Sequence, residues 1–198
     1  DLKRRADGTL VVANGGIATD PQDRSKLNIE SMRANLTLLS GDGQILEQAE
    51  LSLALRQNSI RHLALGPDGR VAFAMQWEGD AADTVPLLGL WRPGSTPTLC
   101  APPLAELARM QGYAGSIAMT AQGLIAVTSP RGGVVMIHGS DGMHLVTHSR
   151  ADACGVAAYD DGFIVSDGSG VLWSCTADAF RPLKTGGPAW DNHLVALL

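Results

Sequence analysis

Two histidines occupy the same short context, Arg61-His62-Leu63 and Asn192-His193-Leu194. Imidazole serves both as a metal ligand and as a proton carrier near neutral pH. His62 and His193 are therefore candidate metal ligands or a proton-handling pair, provided the fold brings them together. Arg61, Asp191 and Asn192 beside them would supply charge and hydrogen bonds. The alternative is that these polar residues tie neighbouring strands together through buried hydrogen bonds.

Arg131 lies in Ser129-Pro130-Arg131-Gly132-Gly133. Two glycine amides and a guanidinium fork in one turn could hold a carboxylate or phosphate; the plainer reading is a strand-connecting turn with Arg131 paired to an acidic residue of a neighbouring unit. Asn14, Gln76 and Ser129 close comparable strands and are expected on one rim. The glycines of Asn14-Gly15-Gly16 lead into loop and strand, so they form no dinucleotide fingerprint. Trp77, Trp91, Trp173 and Trp190 could build a carbohydrate or haem platform, although packing between sheets is the expectation for Trp91 and Trp173. His138, His144 and His148 fall in one hairpin, where they could meet a soft metal or line a solvated sheet edge.

Other chemistry finds no pattern. Ser129 stands in Thr-Ser-Pro, outside a Gly-x-Ser-x-Gly elbow. The turns Gly41-Asp42-Gly43, Pro67-Asp68-Gly69 and Tyr159 to Gly162 lack the acidic density of a calcium loop. Cys100, Cys154 and Cys175 are odd in number and lack metal-ligand spacing, so neither a disulfide framework nor a zinc site is suggested. These residues name no particular cofactor.

What must position these residues is a repeat. A short apolar strand, a turn on Asp-Gly or Gln-Gly and a second apolar strand recur at Leu2 to Gly16, His62 to Gln76, Ser116 to Pro130 and Gly155 to Gly170. In each copy the turn glycine (Gly8, Gly69, Gly123 or Gly162) is the sixth residue after an apolar anchor (Leu2, Leu63, Ile117 or Val156). A constant offset is what hairpins of one register require, because a slip by one residue turns the apolar face outward. Each hairpin is followed by a less regular strand, turn and strand. Four-stranded units of about 40–50 residues are the signature of propeller blades. The residues just before the anchors, Asp1, His62, Ser116, Gly155 and His193, would then converge at the mouth of a central channel.

The expected fold is all-β and β-propeller-like, with about four four-stranded blades of a larger ring. The blades fall roughly at 1–58, 59–102, 113–150 and 151–188, and 189–198 is expected to be the first strand of a closing blade. Pro21 to Asn35 reads as a long loop with one helical turn. Leu104, Leu107, Ala108 and Gln111, behind two prolines, predict one short surface helix. Four blades and a strand do not close a ring of six to eight, so the partners expected are further blades of the same protein or a second chain.

Composition agrees. The 198 residues are 45% hydrophobic and 18% charged, with Gly 23, Pro 10 and nine aromatics, the profile of short strands joined by tight turns. The formal charge of -5 and the lack of a basic run argue against nucleic acid as a partner. No apolar stretch approaches the roughly 18 residues of a membrane span.

The segments LVVANGGIATDPQDRSKLNIESM, SIRHLALGPDGRVAFAMQWEGD, VTSPRGG, CGVAAYDDGFIVSDGSG and AWDNHL together resemble a bacterial family, domain of unknown function fifteen-thirteen, over essentially the whole chain. The resemblance implies a periplasmic, propeller-type protein of about twice this length, exported by a twin-arginine signal. This chain would be its C-terminal part, with further blades and a Gly-Pro-His element before Asp1. It also implies companionship with imelysin-type and dihaem-peroxidase-like proteins of bacterial iron uptake. The function expected is a non-enzymatic binding or scaffold module whose ligand site uses Arg61, His62, Gln76, Arg131, Asp191, Asn192 and His193. The alternative is a metal- or haem-dependent enzyme or carrier using His62 and His193.

Overall fold

The structure is a computed structural model that describes residues 1–195. Sixteen strands form four separate antiparallel sheets in chain order. Blade 1 comprises β1 (Leu2–Arg4), β2 (Leu10–Asn14), β3 (Asn35–Leu39) and β4 (Ile45–Glu50), and blade 2 comprises β5 (Asn58–Leu65), β6 (Val71–Trp77), β7 (Leu88–Trp91) and β8 (Thr98–Cys100). Blade 3 comprises β9 (Ser116–Met119), β10 (Ile125–Ser129), β11 (Val134–His138) and β12 (His144–Ser149); blade 4 comprises β13 (Ala153–Tyr159), β14 (Gly162–Asp167), β15 (Leu172–Cys175) and β16 (Phe180–Lys184). Among the first strands, β1 meets β5, β5 meets β9 and β9 meets β13, so the four line the inner side of the stack. The one α-helix, α1 (Leu104–Arg109), buries Leu107 between blades 2 and 3. A 3-10 turn over Ile29–Ser31 sits in the long loop of blade 1. Among the described residues no helix is long and apolar enough to cross a membrane.

Three cores lie between the sheets, one at each junction of blades. Strand side chains alternate faces, and here the alternation sorts them by size. In β6, Val71, Phe73 and Met75 pack toward blade 1, whereas Ala72 and Ala74 pack toward blade 3. In β10, Ile125 and Val127 pack toward blade 2 and Ala126 toward blade 4. These two second strands thus present large residues to the preceding blade and alanines to the next, whereas β11 is large on both faces, with Val134 and Met136 toward blade 2 and Val135 and Ile137 toward blade 4. Both faces of blades 2 and 3 are covered, which is why β6 reads as an almost unbroken apolar run.

The hairpin turns follow from glycine's freedom at positive φ. Gly8, Gly69 and Gly123 have φ of +86°, +76° and +86°, and each amide donates to the carbonyl three residues earlier. Gly162 does not share this role. In blade 4 Tyr159 pairs directly with Gly162, Asp160 takes the positive φ of +48°, and a Cβ on Gly162 would lie 2.6 Å from the Cys175 carbonyl oxygen. That glycine is required by close approach of β15 and not by the turn.

A second departure concerns the end of the chain. The strand expected over 189–198 is not formed at residues 189–195; the last three residues lie outside those described. The segment crosses the inner strands instead of pairing with one.

Phe73 is fully buried and pairs across the sheet with Gly89. A Cβ on Gly89 would lie 2.1 Å from Phe73 Cζ, so the glycine makes room for the ring. Gly89→Ala is expected to lower stability by about 1–3 kcal/mol, read as a lower urea midpoint. Combined with Phe73→Leu, the loss should fall short of the sum of the two single losses; strict additivity would show that ring and glycine do not interact.

Candidate functional site

Two of the inner strands, β5 and β13, carry an irregularity near their starts. In β5, Ile60 pairs with Met75 and His62 with Ala74, so Arg61 is an extra residue. In β13, Ala153 pairs with Asp167 and Val156 with Val165, so Cys154 and Gly155 face one partner residue. Consistent with these bulges, Ile60 and Leu63 fill the same core although they stand three apart, as do Ala114 and Ile117, and Ala153 and Val156. A bulge re-aims side chains that strict alternation would send into a core. In blade 2 it leaves Arg61 exposed and His62 half-buried beside each other.

The residues before the apolar anchors divide in role. Asp1 Oδ2 accepts the Leu63 amide at 2.9 Å, and Ser116 Oγ accepts the Val156 amide at 3.3 Å. At these two positions the side chain ties the inner strand of the next blade. His62 instead meets His193 edge to face, with ring centroids 5.3 Å apart. Burial, then the neighbouring charges of His193 and Arg61, push the His62 pKa down to about 4, so its imidazole is neutral at neutral pH.

His193 arrives on the segment Trp190–Leu194, which touches three blades. Asn192 Nδ2 donates to the Tyr113 hydroxyl at 2.7 Å. Leu194 lies against β13, where a Cβ on Gly155 would be 3.0 Å from Leu194 Cβ. Tyr113, which follows α1, was not singled out by the sequence pattern, yet it gathers three residues that were. Its ring carries the Arg131 guanidinium 4.6 Å from the centroid, its backbone bridges to Gln76, and its hydroxyl holds Asn192. The acidic partner expected for Arg131 in a plain turn is absent among the described residues. Asp191 is exposed and accepts the Asn192 amide at 2.7 Å.

The supposed rim of Asn14, Gln76 and Ser129 is in part a register of turn-forming residues. By ladder position the equivalents are Asn14, Met75, Ser129 and Asp167, so Gln76 stands one residue beyond. Asn14 Oδ1 accepts the Gly16 amide, Ser129 Oγ the Gly132 amide, and Asp167 Oδ1 the amides of Ser169 and Val171. These side chains close turns at the strand ends. Asp167 is fully buried and also takes Trp173 Nε1 and Arg150 Nε, each at 2.7 Å, on Oδ2. Burial alone would raise its pKa; the donors from Ser169, Trp173, Val171 and Arg150 outweigh it and hold the carboxyl at about 2.

Beside the histidine pair, between blades 1 and 2, lies a cleft of about 420 Å³ whose lining includes Asn14, Gly15, Gly16, Arg24, Lys26 and Arg61. Other candidates stay apart. His138 is buried and bonded at Nδ1 to the Gly142 carbonyl, His144 bonds Thr147, and His148 bonds the Thr176 carbonyl and stacks on Phe180. Trp91 is buried, and Trp173 stacks between Arg150 and Phe180. All three cysteines are free and buried; burial pushes the Cys154 and Cys175 thiols up to about 12. Among the described residues no three His, Cys, Asp or Glu side chains converge as a metal-binding group.

Successive four-stranded sheets with their first strands innermost define a β-propeller-like protein. The sequence model of the family described as "Protein of unknown function (DUF1513)" matches residues 1–197, and the chain belongs to that family. The fold is similar to virginiamycin B lyase from Staphylococcus aureus (12% identity, TM-score 0.58, 92% of this chain and 68% of that one). It is also similar to a streptogramin B lyase (11%, 0.57, 94% and 68%) and to Saccharomyces cerevisiae Sqt1 (13%, 0.53, 91% and 59%). At these identities the likeness concerns the fold. Among curated proteins none matches significantly.

The depressed pKa of His62 makes stability depend on pH with a definite sign. Between about 6.5 and about 4 the unfolded chain takes up a proton that folded His62 refuses. The contribution is complete above 6.5 and is lost as the pH falls toward 4. Urea midpoints should decline over that window, and His62→Gln should flatten the decline; an unchanged profile would show that His62 titrates normally.

Proposed function

We propose that this chain is a non-enzymatic binding or scaffold module of a β-propeller, with its ligand site at the channel mouth. One observation carries this. At the bulge of β5, Arg61 and His62 are both released from core packing, and the crossing segment sets His193 against His62. Arg131, Gln76 and Asn192 around Tyr113 form the adjoining part of the site, with Asp191 at its edge. A neutral imidazole and two guanidinium groups without carboxylate partners among the described residues suit capture of a polar ligand.

The setting proposed rests on the resemblance to exported proteins alone. The module works in the periplasm, brought there by a twin-arginine signal, alongside proteins of iron uptake. Further blades, from the same protein or from a second chain, cover its two end faces. Leu2 and Ile45 on the outer face of blade 1 are 52% and 63% exposed, which supports such a covering.

A second class of function is favoured by the edge contact of the two imidazoles and by the lyases among proteins of similar fold. In it, His62 and His193 would serve a metal- or haem-dependent enzyme or carrier. Native and denaturing mass spectra with metal analysis and a visible spectrum separate the two. A bound species without turnover, lost in both His62→Ala and His193→Ala, is the expected result. Retention of that species in both variants would remove the histidines from the site, and turnover lost in them would establish the enzyme instead.

A further inference from the structure

We infer that the cleft between blades 1 and 2 is a subsite for a small organic oxyanion, a carboxylate or phosphate ester, clamped between Arg24 and Arg61. This deepens the binding-module function and rests on it, because Arg61 belongs to both the cleft and the channel mouth.

Charge is the first ground. Arg24, Lys26 and Arg61 line the cleft with a single carboxylate, that of Asp1. Lys26 is already neutralised by Glu78, whose side chain is 5% exposed. The Asp1 oxygens are each engaged by a backbone amide, of Leu2 at 2.8 Å and Leu63 at 2.9 Å. Arg24 and Arg61 make no side-chain hydrogen bond or ion pair with any described residue. Two guanidinium groups at one cleft with no protein anion between them are matched to an anion from outside.

The floor is built and not merely open. Asn14 Oδ1 accepts the Gly16 amide at 3.0 Å, Ser59 Oγ donates to the Gly15 carbonyl at 2.9 Å, and Asn28 Nδ2 donates to the Gly16 carbonyl at 2.9 Å. Gly16 has φ of +71° and a Cβ there would lie 2.5 Å from the Arg33 carbonyl carbon. A Cβ on Gly15 would lie 2.7 Å from Ser59 Oγ and 3.7 Å from Arg61 Cδ, so the guanidinium stem runs directly beside this glycine. The Gly15 amide donates to no acceptor among the described residues, which leaves a backbone donor for the ligand.

Arg24 is presented by a pinned loop. Its φ of +61° is a conformation few non-glycine residues adopt. The Arg24 amide bonds the Asp20 carbonyl at 2.9 Å, and Thr19 bridges to Lys26, so the tip is closed back on itself. A volume of about 420 Å³ falls within the range of small-molecule sites.

The test is a titration of the full isotope-labelled chain with inorganic phosphate and, separately, with succinate, against chloride at matched ionic strength, reading backbone amide shifts. Saturable shifts at Gly15 and Gly16 are expected with phosphate, succinate or both, and the stronger of the two identifies the ester or the carboxylate. Arg24→Gln and Arg61→Gln should each weaken binding about tenfold, with Arg181→Gln on blade 4 as the unaffected control. Neither substitution removes a side-chain hydrogen bond or ion pair to a described residue, so thermal midpoints at neutral pH within a degree or two of the parent, roughly the effect of a neutral surface change, serve as the folding check. No saturable shift with either anion, or shifts that survive in the double variant, would overturn the clamp. If the clamp fails while the species dependent on His62 and His193 persists, only the subsite falls. If the anions bind and the chain turns them over, the binding-module function falls and the clamp stands.

Discussion

The stack depends on how the second strands of neighbouring sheets match in size. Alternating side chains give β6 and β10 one face of large residues toward the preceding blade and one of alanines toward the next. Phe73, Val71 and Met75 pack with Val11, Ala13, Leu36, Leu38 and Ala49 of blade 1, while Ala72 and Ala74 admit Ile125 and Val127 of blade 3. A one-residue slip in β6 or β10 would exchange the two faces, losing both packing and register. Fixing the register also fixes which residues end each strand, and hence what reaches the mouth.

The polar residues are placed by the same constraint. At the strand ends, Asn14, Ser129 and Asp167 spend their side chains on closing turns, and Asp1 and Ser116 spend theirs on joining inner strands. Ser116, Ser129 and Asp167 are buried, and buried polar groups are committed in this way because an unmet donor or acceptor is costly. Among the described residues, the Arg61 and Arg131 side chains and the His62–His193 pair carry no such hydrogen bond, which is why the proposed recognition is placed on them.

Much of the architecture was legible in the amino-acid sequence, because it is local. The hairpin repeat, its turn glycines at Gly8, Gly69 and Gly123, the helix around Leu107 and the packing roles of Trp91 and Trp173 all follow from spacing and turn chemistry. What was not legible is non-local or depends on one inserted residue. Gln76 stands one residue past the register shared by Asn14 and Ser129, as counting from Gly69 against Gly8 and Gly123 shows; the bulges had one available signal, apolar pairs three apart at a strand start, as in Ile60 and Leu63. Tyr113 follows a helix and Arg24 sits in a polar loop, so neither has a periodicity to mark it. The crossing of Trp190–Leu194 over three blades resembled a strand in sequence because His193-Leu194 repeats the pair His62-Leu63.

The bulge in β5 has a further consequence for where such a stack can vary. Because Ile60 and Leu63 on either side keep the core intact, Arg61 and His62 stand outside it. The corresponding pairs in the next two blades have no such freedom: a Cβ on Gly115 would lie 2.7 Å from Pro130 Cδ and one on Gly155 3.0 Å from Leu194 Cβ, while Ser116 and Cys154 are buried. Blade 2 is therefore the place where two adjoining residues can be rewritten without the interior being repacked, and blades 3 and 4 are the frame that holds it.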